Sequence, residues 1–301
     1  MKKITVVSGK GGVGKTTLTA SLAILFFREK FSLVLTDCDV DAPNLSLILK
    51  NQEFERHDIF SANIAIVNKS ECISCKKCRE HCKFDAISWN DEENMPFINE
   101  FACEGCGACK VLCPEHAFEI HPVKSGEIIS YKNNMGFPLI YGKTQLGSTT
   151  SGKLVSDVKE FLNNSKSFDN SNLILIDGPP GIGCPVIATI SNIDYAITIS
   201  EPTPSGLHDL MRVIEVVQQF NIPFGLIINK SDLKSSFQED FNKHIRDTGY
   251  KILGKIPFDL AIPKAMSFAK PVVDFAPDSK ASEEIKKIYK NLIAILKNEG
   301  L

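Results

Sequence analysis

The sequence has neither a long apolar run nor a strong net charge. Its densest apolar stretch, Leu22 to Phe27, has six residues, whereas a membrane-spanning helix needs about 20. The 34 basic and 36 acidic side chains give a formal net charge of −2, which removes the electrostatic case for nucleic acid as a partner. After Lys2 and Lys3, the segment Ile4 to Val7 is too short for the apolar part of a secretory signal peptide. We therefore expect a cytoplasmic protein without a membrane partner.

Cysteine is abundant but unevenly distributed. Eight of the ten cysteines lie between Cys72 and Cys113, and only Cys38 and Cys184 lie outside this segment. In a reducing compartment, clustered cysteines are more often metal ligands than disulfides. Cys38 and Cys184 are each expected to be buried thiols, because an isolated cysteine packs as a small apolar side chain.

Apolar runs alternate with helical periodicity at both ends of the chain, which predicts an α/β fold with a mostly parallel sheet flanked by helices. Predicted strands cover residues 3–7, 32–36, 173–176, 195–199, 224–228 and 252–256. Predicted helices cover residues 16–29, 153–162, 207–220, 235–247 and 282–297. Residues 125–152 show no clear pattern. The apolar stripe of the last helix predicts packing against the sheet, with membrane-surface binding as the alternative.

The cysteine-rich segment interrupts this alternation. The simplest organisation is one α/β domain of residues 1–67 and 124–301, with a small domain of residues 68–123 inserted into it. A chain of 301 residues is long enough for a large core and a smaller second one.

A phosphate-binding motif lies between the first predicted strand and helix. The segment from Gly9 to Thr16 fits G-x-x-x-x-G-K-[ST]. Backbone N–H groups of such a loop surround phosphate oxygens, Lys15 is expected to reach the β and γ phosphates, and the Thr16 hydroxyl is expected to bind Mg²⁺. The predicted nucleotide contacts are Gly11, Gly12, Val13, Gly14, Lys15, Thr16 and Thr17.

The inserted segment carries two cysteine motifs with the spacing of bacterial ferredoxins, the second followed by Pro114. In that spacing the fourth cysteine of each run binds the other cluster. The motifs therefore predict a small α+β bacterial-type ferredoxin domain with two [4Fe-4S] clusters. The predicted ligands are Cys72, Cys75, Cys78 and Cys113 for the first cluster and Cys103, Cys106, Cys109 and Cys82 for the second. Zinc sites and a disulfide scaffold are the alternatives.

The loop from Lys10 to Thr17 resembles the deviant Walker A loop of the MinD/ParA/nitrogenase Fe-protein superfamily. With the cysteine motifs, the whole chain resembles P-loop ATPases of this superfamily that carry an inserted ferredoxin domain, often labelled cobyrinic acid a,c-diamide synthase-like. The resemblance implies a nucleotide-dependent homodimer in which Lys10 reaches the partner's nucleotide. It also implies that Lys15 is catalytic, that Asp39 activates the attacking water, and that Asp177 holds a Mg²⁺-bound water.

The resemblance extends to the nucleotide base and to Cys184. It favours ATP, with Asn229, Pro257 and Asp259 beside the base. GTP remains the alternative, because residues 229–232 match the N-K-x-D string whose aspartate, here Asp232, binds guanine in many GTPases. Cys184 stands at the same offset from Asp177 as a cysteine of the nitrogenase Fe protein that holds a cluster shared between subunits.

The leading functional hypothesis is an ATPase whose cycle couples to electron transfer through two [4Fe-4S] clusters, toward an unidentified redox or iron–sulfur acceptor protein. The second is an iron–sulfur or metal-cofactor carrier. An amidotransferase resembling cobyrinate diamide synthase is less favoured, because His244 is the only histidine after Leu210 and no cysteine follows Cys184. A MinD-like positioning ATPase is the fourth.

Overall fold

The computed structural model describes residues 1–49, 51–133, 135–148, 150–168, 170–233 and 237–298. The strands are β1 (Lys2–Ser8), β2 (Leu33–Asp37), β3 (Asn51–Ile59), β4 (Ala62–Val67), β5 (Ile87–Asn90), β6 (Met95–Ile98), β7 (Phe118–Val123), β8 (Gly126–Asn133), β9 (Pro138–Thr144), β10 (Leu173–Pro180), β11 (Tyr195–Ser200), β12 (Phe224–Asn229) and β13 (Ile252–Ile256). The helices are α1 (Lys15–Arg28), α2 (Leu45–Ile48), α3 (Lys77–Glu80), α4 (Ala108–Leu112), α5 (Ser151–Asn164), α6 (Cys184–Ile190), α7 (Pro204–Gln219), α8 (Gln238–Thr248), α9 (Ala261–Ser267), α10 (Val272–Phe275) and α11 (Lys280–Asn298).

Within these residues, nine strands form one sheet in the order β13-β12-β11-β1-β10-β2-β9-β8-β3. All neighbours from β13 to β9 are parallel, and β8 and β3 extend the sheet as antiparallel strands. The predicted mostly parallel sheet flanked by helices is therefore confirmed.

The core has two layers because side chains alternate between the two faces of each buried strand. Ile4 and Val6 of β1 pack in one apolar cluster with α1, α9, α10 and α11. Val7 packs on the opposite face with α5, α6, α7 and α8. Covering both faces with helices buries the central strands and leaves the carboxyl ends of the parallel strands as the ligand-facing edge.

The elements missing from the sequence prediction lie mainly between residues 51 and 144. Strands β8 and β9 occupy most of the segment that had no clear pattern. The predicted start of a helix at Ser235 lies outside the described residues, and α8 begins at Gln238.

The last helix, α11, packs in the core through Ile288, Leu292 and neighbouring apolar side chains, so the predicted packing against the sheet is confirmed. Among the described residues, no helix combines the length and apolarity needed to cross a membrane.

The cysteine-rich part lies outside the nine-stranded sheet. Strands β4 and β7 form one antiparallel pair and β5 and β6 form another, with the short helices α3 and α4 beside them. This part has its own small apolar cluster, which includes Ala65, Ile87 and Phe118. The region of residues 72–113 thus fits a small inserted domain, and β4 precedes the predicted boundary at residue 68.

Candidate functional site

The phosphate-binding motif forms the turn between β1 and α1. Gly12 and Gly14 have φ angles of +76° and +97°, a left-handed conformation that glycine adopts without steric cost. Lys15, the first residue of α1, is buried and donates a hydrogen bond to Ser8 Oγ at 3.0 Å. Burial lowers the Lys15 pKa, and Asp177, Asp39 and Asp37 oppose that effect. A buried cation at a helix N-terminus suits an anionic ligand.

A cleft of about 480 Å³ opens above this turn. Its lining includes most of the predicted nucleotide contacts and residues from the far end of the sheet, namely Gly11, Gly12, Gly14, Lys15, Thr16, Thr17, Asp39, Asn44, Pro180, Asn229, Lys230, Pro257, Phe258, Asp259, Ile262, Pro263 and Met266. The volume and the residues that converge on it fit a nucleotide. Val13 is buried in the core behind the loop.

Asp177 lies on β10 at the floor of the site and is 1% exposed. Its carboxylate accepts hydrogen bonds from Thr19 Oγ1 at 2.9 Å and from the Thr16 hydroxyl. Burial raises the pKa of Asp177 to about 6, against the opposing effect of these hydrogen bonds and of Lys15. Oxygen ligands from a carboxylate and a neighbouring hydroxyl are those that Mg²⁺ prefers. The donor set therefore fits a Mg²⁺ ion at Thr16, with Asp177 behind it.

A second buried carboxylate, Asp37, supports the loop that carries Asp39. Asp37 accepts backbone N–H groups of Asp39 at 3.0 Å, Asn44 at 2.9 Å and Leu45 at 3.0 Å. Burial and the nearby Asp177 raise the pKa of Asp37 well above its usual value, and the three N–H donors oppose this. Asp39 itself is half-buried and lines the cleft, and burial raises its pKa. Asp37 thus positions the loop.

Lys10 is held by its own chain. Its Nζ lies 2.7 Å from a Glu201 carboxylate oxygen and 3.2 Å from Ser205 Oγ. The other Glu201 oxygen accepts Lys230 Nζ at 2.9 Å, and the two lysines lower the Glu201 pKa, although burial opposes them. Within the described protomer, Lys10 stands beside the cleft and not in its lining.

Two of the residues predicted near the base, Asn229 and Asp259, form hydrogen bonds with backbone groups. Asn229 donates to the Val13 carbonyl at 2.8 Å and accepts from the Lys230 N–H at 2.9 Å. The Asp259 carboxylate accepts the N–H groups of Ala261 at 2.8 Å and Ala281 at 3.1 Å.

Asp232, the candidate guanine contact, faces its neighbouring loop. Its carboxylate accepts the Phe258 N–H at 2.6 Å, and within the described part of the chain it is not among the cleft residues. Asp232 therefore shapes the loop that carries Phe258.

The second predicted ligand set, Cys82, Cys103, Cys106 and Cys109, lines a single cavity. The same cavity is walled by Cys78 and by apolar residues that include Ala65, Phe84, Ala86 and Ile87. Thiolates around an apolar cavity are the donor set of an iron–sulfur cluster. These residues therefore fit such a group.

Within the first predicted set, the thiols of Cys72 and Cys75 lie near that of Cys78. Burial raises the pKa of the Cys78 thiol to about 11, and the nearby thiols of Cys72, Cys75 and Cys109 contribute to that increase. The Ala65 and Ala117 N–H groups each lie 3.4 Å from a sulfur, that of Cys103 and that of Cys113 respectively. Such N–H···S contacts tune the reduction potential of a bound cluster.

Among the described residues, no group of three or more His, Cys, Asp or Glu side chains is arranged around a single metal-ion position. The ligands of a four-iron cube each bind a different iron atom, so they stand farther apart than ligands that share one ion.

The two cysteines outside the cysteine-rich part differ in exposure. Cys38 is fully buried, as expected, and burial raises its pKa to about 12. The prediction that Cys184 is buried was wrong: it is exposed at the first residue of α6. The glycine-rich loop before it leaves the start of this short helix at the surface, beside Gly152 of α5.

Asp37 and Glu201 are functional residues that were not predicted from the sequence. A carboxylate at the end of a fully buried strand was the available signal for Asp37. No local pattern links Glu201 to Lys10, because the two are far apart along the chain.

A phosphate-binding turn at the carboxyl edge of a mostly parallel sheet defines a P-loop nucleotide-binding protein. The family model described as "CobQ/CobB/MinD/ParA nucleotide binding domain" matches residues 4–273, and the chain belongs to this family. An uncharacterized protein of Methanocaldococcus jannaschii is 39% identical over 290 residues, covering 96% of each chain. An iron–sulfur cluster carrier protein of the same organism is 24% identical over 307 residues, covering 97% of this chain and 83% of that protein.

Solved structures resemble the chain at the level of fold. The septum site-determining protein MinD of Pyrococcus horikoshii, complexed with Mg-ADP, has a TM-score of 0.59 at 20% identity, covering 97% of this chain and 95% of that one. Together with an ATP-binding relative of Methanocaldococcus jannaschii at 24% identity over 96% of this chain and 87% of that protein, the family supports ATPase activity in general.

Proposed function

We propose that the protein is an ATPase that forms a nucleotide-dependent homodimer and couples its ATP cycle to electron transfer through two [4Fe-4S] clusters. Each cluster would act as a one-electron carrier. The ligands of the first cluster would be Cys72, Cys75, Cys78 and Cys113, and those of the second would be Cys103, Cys106, Cys109 and Cys82. The proposal requires a physical connection between the nucleotide site and the cysteine-rich part.

The observation that carries the proposal is a short segment, Thr144 to Ser148, that touches both parts. At one end, Thr144 donates its N–H to the Val40 carbonyl at 2.9 Å and its hydroxyl to the Asp41 carboxylate at 2.9 Å. Val40 and Asp41 follow Asp39 in the loop beside the nucleotide cleft. A change in that loop on γ-phosphate release would therefore act directly on Thr144.

At its other end the segment meets the cysteine-rich part. The Cα of Gly147 packs on the ring of Phe101 so closely that a Cβ on Gly147 would lie 2.4 Å from it. Residues 145–148 also line a cleft of about 270 Å³ together with Phe101 and Cys103. Phe101 stands two residues before Cys103, a ligand of the proposed second cluster. The segment is therefore a continuous contact path from Asp41 to that cysteine.

The nucleotide half of the cycle follows from the chain's own charges. Lys15 would bind the β and γ phosphates, Thr16 would bind Mg²⁺, and Asp177 would orient a Mg²⁺-bound water. Asp39 would accept a proton from the attacking water, and its raised pKa suits a general base. Lys10 would leave Glu201 and reach the partner's nucleotide when the dimer closes.

ATP is the nucleotide that the local contacts favour. A guanine-reading aspartate needs a free carboxylate facing the base, and the Asp232 carboxylate accepts the Phe258 N–H at 2.6 Å. The apolar side chains Phe258, Ile262 and Met266 at this end of the cleft would contact the base without base-specific hydrogen bonds.

Anaerobic purification tests the proposal. We expect iron and acid-labile sulfide in amounts that match two four-iron clusters. Redox titration of this material with ATP and with ADP should give different cluster potentials. Material that carries no iron would contradict the cluster assignment, and identical titrations with the two nucleotides would contradict the coupling.

A carrier function is the second candidate, because relatives named iron–sulfur cluster carrier protein cover nearly the whole chain. A carrier must release its cluster, whereas eight cysteines in the ferredoxin spacing favour retention. Incubation with an apo-ferredoxin separates the two functions. Rapid loss of iron to the apo-protein would favour the carrier, and retention through many ATP turnovers would favour electron transfer.

A further inference from the structure

The two cysteine runs have left-handed residues at the same three positions but differ in their exposed side chains. In the first run Ser74, Lys76 and Asp85 have φ angles of +58°, +60° and +50°. The residues 31 positions later, Gly105, Gly107 and His116, have φ angles of +59°, +78° and +53°. The two runs therefore have equivalent positions, and any difference between them lies in their side chains.

Lys76 occupies a backbone position that favours glycine. A left-handed residue other than glycine costs of order 1 kcal/mol, and the second run has Gly107 at the equivalent position. The Lys76 side chain is exposed, and its Nζ lies 5.1 Å from the centre of the Trp89 ring. Lys76 therefore presents its charge at the surface, next to Cys75 in the sequence.

The charge of the first run is unbalanced. Between Cys72 and Lys83 there are four cations, Lys76, Lys77, Arg79 and Lys83, and one acid, Glu80, so the formal charge is 4 − 1 = +3. The equivalent residues 103–114 have one cation, Lys110, and one acid, so their charge is 1 − 1 = 0.

All four cations are exposed, and no ion pair joins any of them to a carboxylate in the part of the chain that the structure describes. We name these four residues the basic rim. Cys75 precedes the rim residues in the sequence and is also exposed. Exposed Ile73, at 60%, adds an apolar contact beside Cys75. The second run has Glu104 at the position equivalent to Ile73.

We propose that the basic rim is the docking surface for an acidic one-electron carrier protein. The inference rests on the proposed function and names the chemistry of the partner: an anionic protein with an apolar contact at the centre of its acidic face. Docking there would bring the carrier's redox centre close to Cys75, so that one electron passes, with one protein oxidised as the other is reduced. The second run, residues 103–114, which has no net charge, would face a different partner or the ATPase part.

An acidic protein fits the rim better than a nucleic acid does. Four exposed cations next to the exposed apolar residue Ile73 match the mixture of charged and apolar groups in a small protein interface. Nucleic-acid sites combine many phosphate contacts with strong overall positive charge, and the chain has a net charge of −2.

The test uses the anaerobically purified full chain and an acidic flavodoxin as the probe. Binding is measured by calorimetry at about 25 mM and about 500 mM salt, where charges are weakly and strongly screened. The matched variants are Arg79→Glu in α3 and Lys110→Glu in α4, which make the same charge change at equivalent positions. A third variant, Lys76→Gly, removes a rim charge and adopts the glycine of the second run.

Arg79→Glu should weaken binding about tenfold at low salt, and Lys76→Gly about threefold, with both effects lost at high salt. Lys110→Glu should change affinity less than twofold. Iron content of all three should match that of the parent protein, and none should unfold at a lower temperature than the parent, which separates lost docking from lost folding. Electron transfer from the reduced flavodoxin should slow in the same order.

Equal weakening by Arg79→Glu and Lys110→Glu would overturn the docking surface, as would parent binding that is equally weak at both salt concentrations. Tighter, Arg79-dependent binding of a single-stranded oligodeoxynucleotide would overturn it in favour of nucleic acid. Iron-free material counts against both this proposal and the proposed function. Iron-loaded material with equal affinities counts against the docking surface alone.

Discussion

At the residue scale, the phosphate-binding turn depends on close backbone approach. A Cβ on Gly9 would lie 2.1 Å from the Asp209 carbonyl oxygen in α7 and 2.4 Å from its carbon. Both atoms are backbone, so relief would require β1 and α7 to separate. Gly11, two residues later, has no atom within 4 Å of the same position. The two glycines therefore differ in what a methyl group would meet.

Gly9→Ala should destabilise the nucleotide-free protein by about 2–3 kcal/mol, the cost of overpacking a closely packed site. Gly11→Ala should change stability by less than about 0.5 kcal/mol. Urea denaturation followed by circular dichroism measures both. Equal stabilities of the two variants would mean that the contact between β1 and α7 yields easily.

At the phosphate-binding turn, the sequence alone groups the predicted residues, because they are neighbours in the chain. The residues of the phosphate-binding turn share one motif, and most of them line one cleft. Glu201 was missed as the partner of Lys10, because only the fold brings the loop after β11 beside the loop after β1. Cys184 was misjudged because an apolar sequence context does not reveal that a loop exposes a helix start.

At the element scale, one lysine closes the end of α6. Lys159, on α5, donates to the carbonyls of Ala188 at 2.8 Å and Thr189 at 3.0 Å, and also to Ser191. These carbonyls belong to the last turn and end of α6, where a helix leaves acceptors unpaired and carries a partial negative charge. Burial lowers the Lys159 pKa to about 8. Lys159 thus fixes α6, which follows the Asp177 loop.

Lys159→Met should destabilise the protein by about 2 kcal/mol, because three part-buried carbonyls lose their donor. Lys153→Met on the same helix is the matched control. Lys153 is exposed and pairs with Asp157 at 2.5 Å, and a surface pair contributes under about 1 kcal/mol. Urea denaturation of both variants tests this, and equal losses would contradict a capping role for Lys159.

Element prediction failed mainly for the antiparallel extension of the sheet. The buried parallel strands are continuous apolar runs, such as residues 173–176, and these were found. Strand β8 mixes Glu127, Ser130 and Lys132 with apolar residues and begins at Gly126. That composition resembles a loop, and pairing with β3 and β9 supplies the order that local propensity lacks.

At the scale of the whole molecule, the segment from Thr144 to Ser148 contacts both the nine-stranded sheet and the cysteine-rich part. Thr144 contacts the loop beside the nucleotide cleft, and Gly147 packs on Phe101. A coupling that passes through this segment is open to interruption by single substitutions that leave both parts folded.

Thr144→Val and Phe101→Ala should each at least halve the difference in cluster potential between the ATP and ADP states. Thr144→Val removes the hydroxyl that Asp41 accepts, and Phe101→Ala removes the ring under Gly147. Phe97→Ala is the control, because Phe97 is similarly exposed, at 62% against 74%, and lies away from the segment on β6. ATP hydrolysis and iron content should remain within twofold of the parent protein. An undiminished potential difference in both variants would exclude this path.

The sequence predicted that a small domain interrupts the sheet, because cysteine spacing and apolar periodicity are both visible in one dimension. The contact between Gly147 and Phe101 was not predictable, because neither residue belongs to a motif. This contact depends on packing between residues that are far apart in the sequence.

The cysteine-rich part departs from the sheet and rejoins it at adjacent backbone positions. Ile59 pairs with Gly126 at the end of β3 and β8, and Ala62 pairs with Val123 beyond them. Between these two strand pairs, the fully buried Ser125 donates its N–H to the Ile59 carbonyl at 2.8 Å. Because the chain leaves the sheet at the end of β3 and re-enters it at the start of β8, which is paired with it, a tight hairpin turn is enough to connect the two strands directly. We therefore expect the P-loop scaffold to tolerate the deletion or grafting of such a domain.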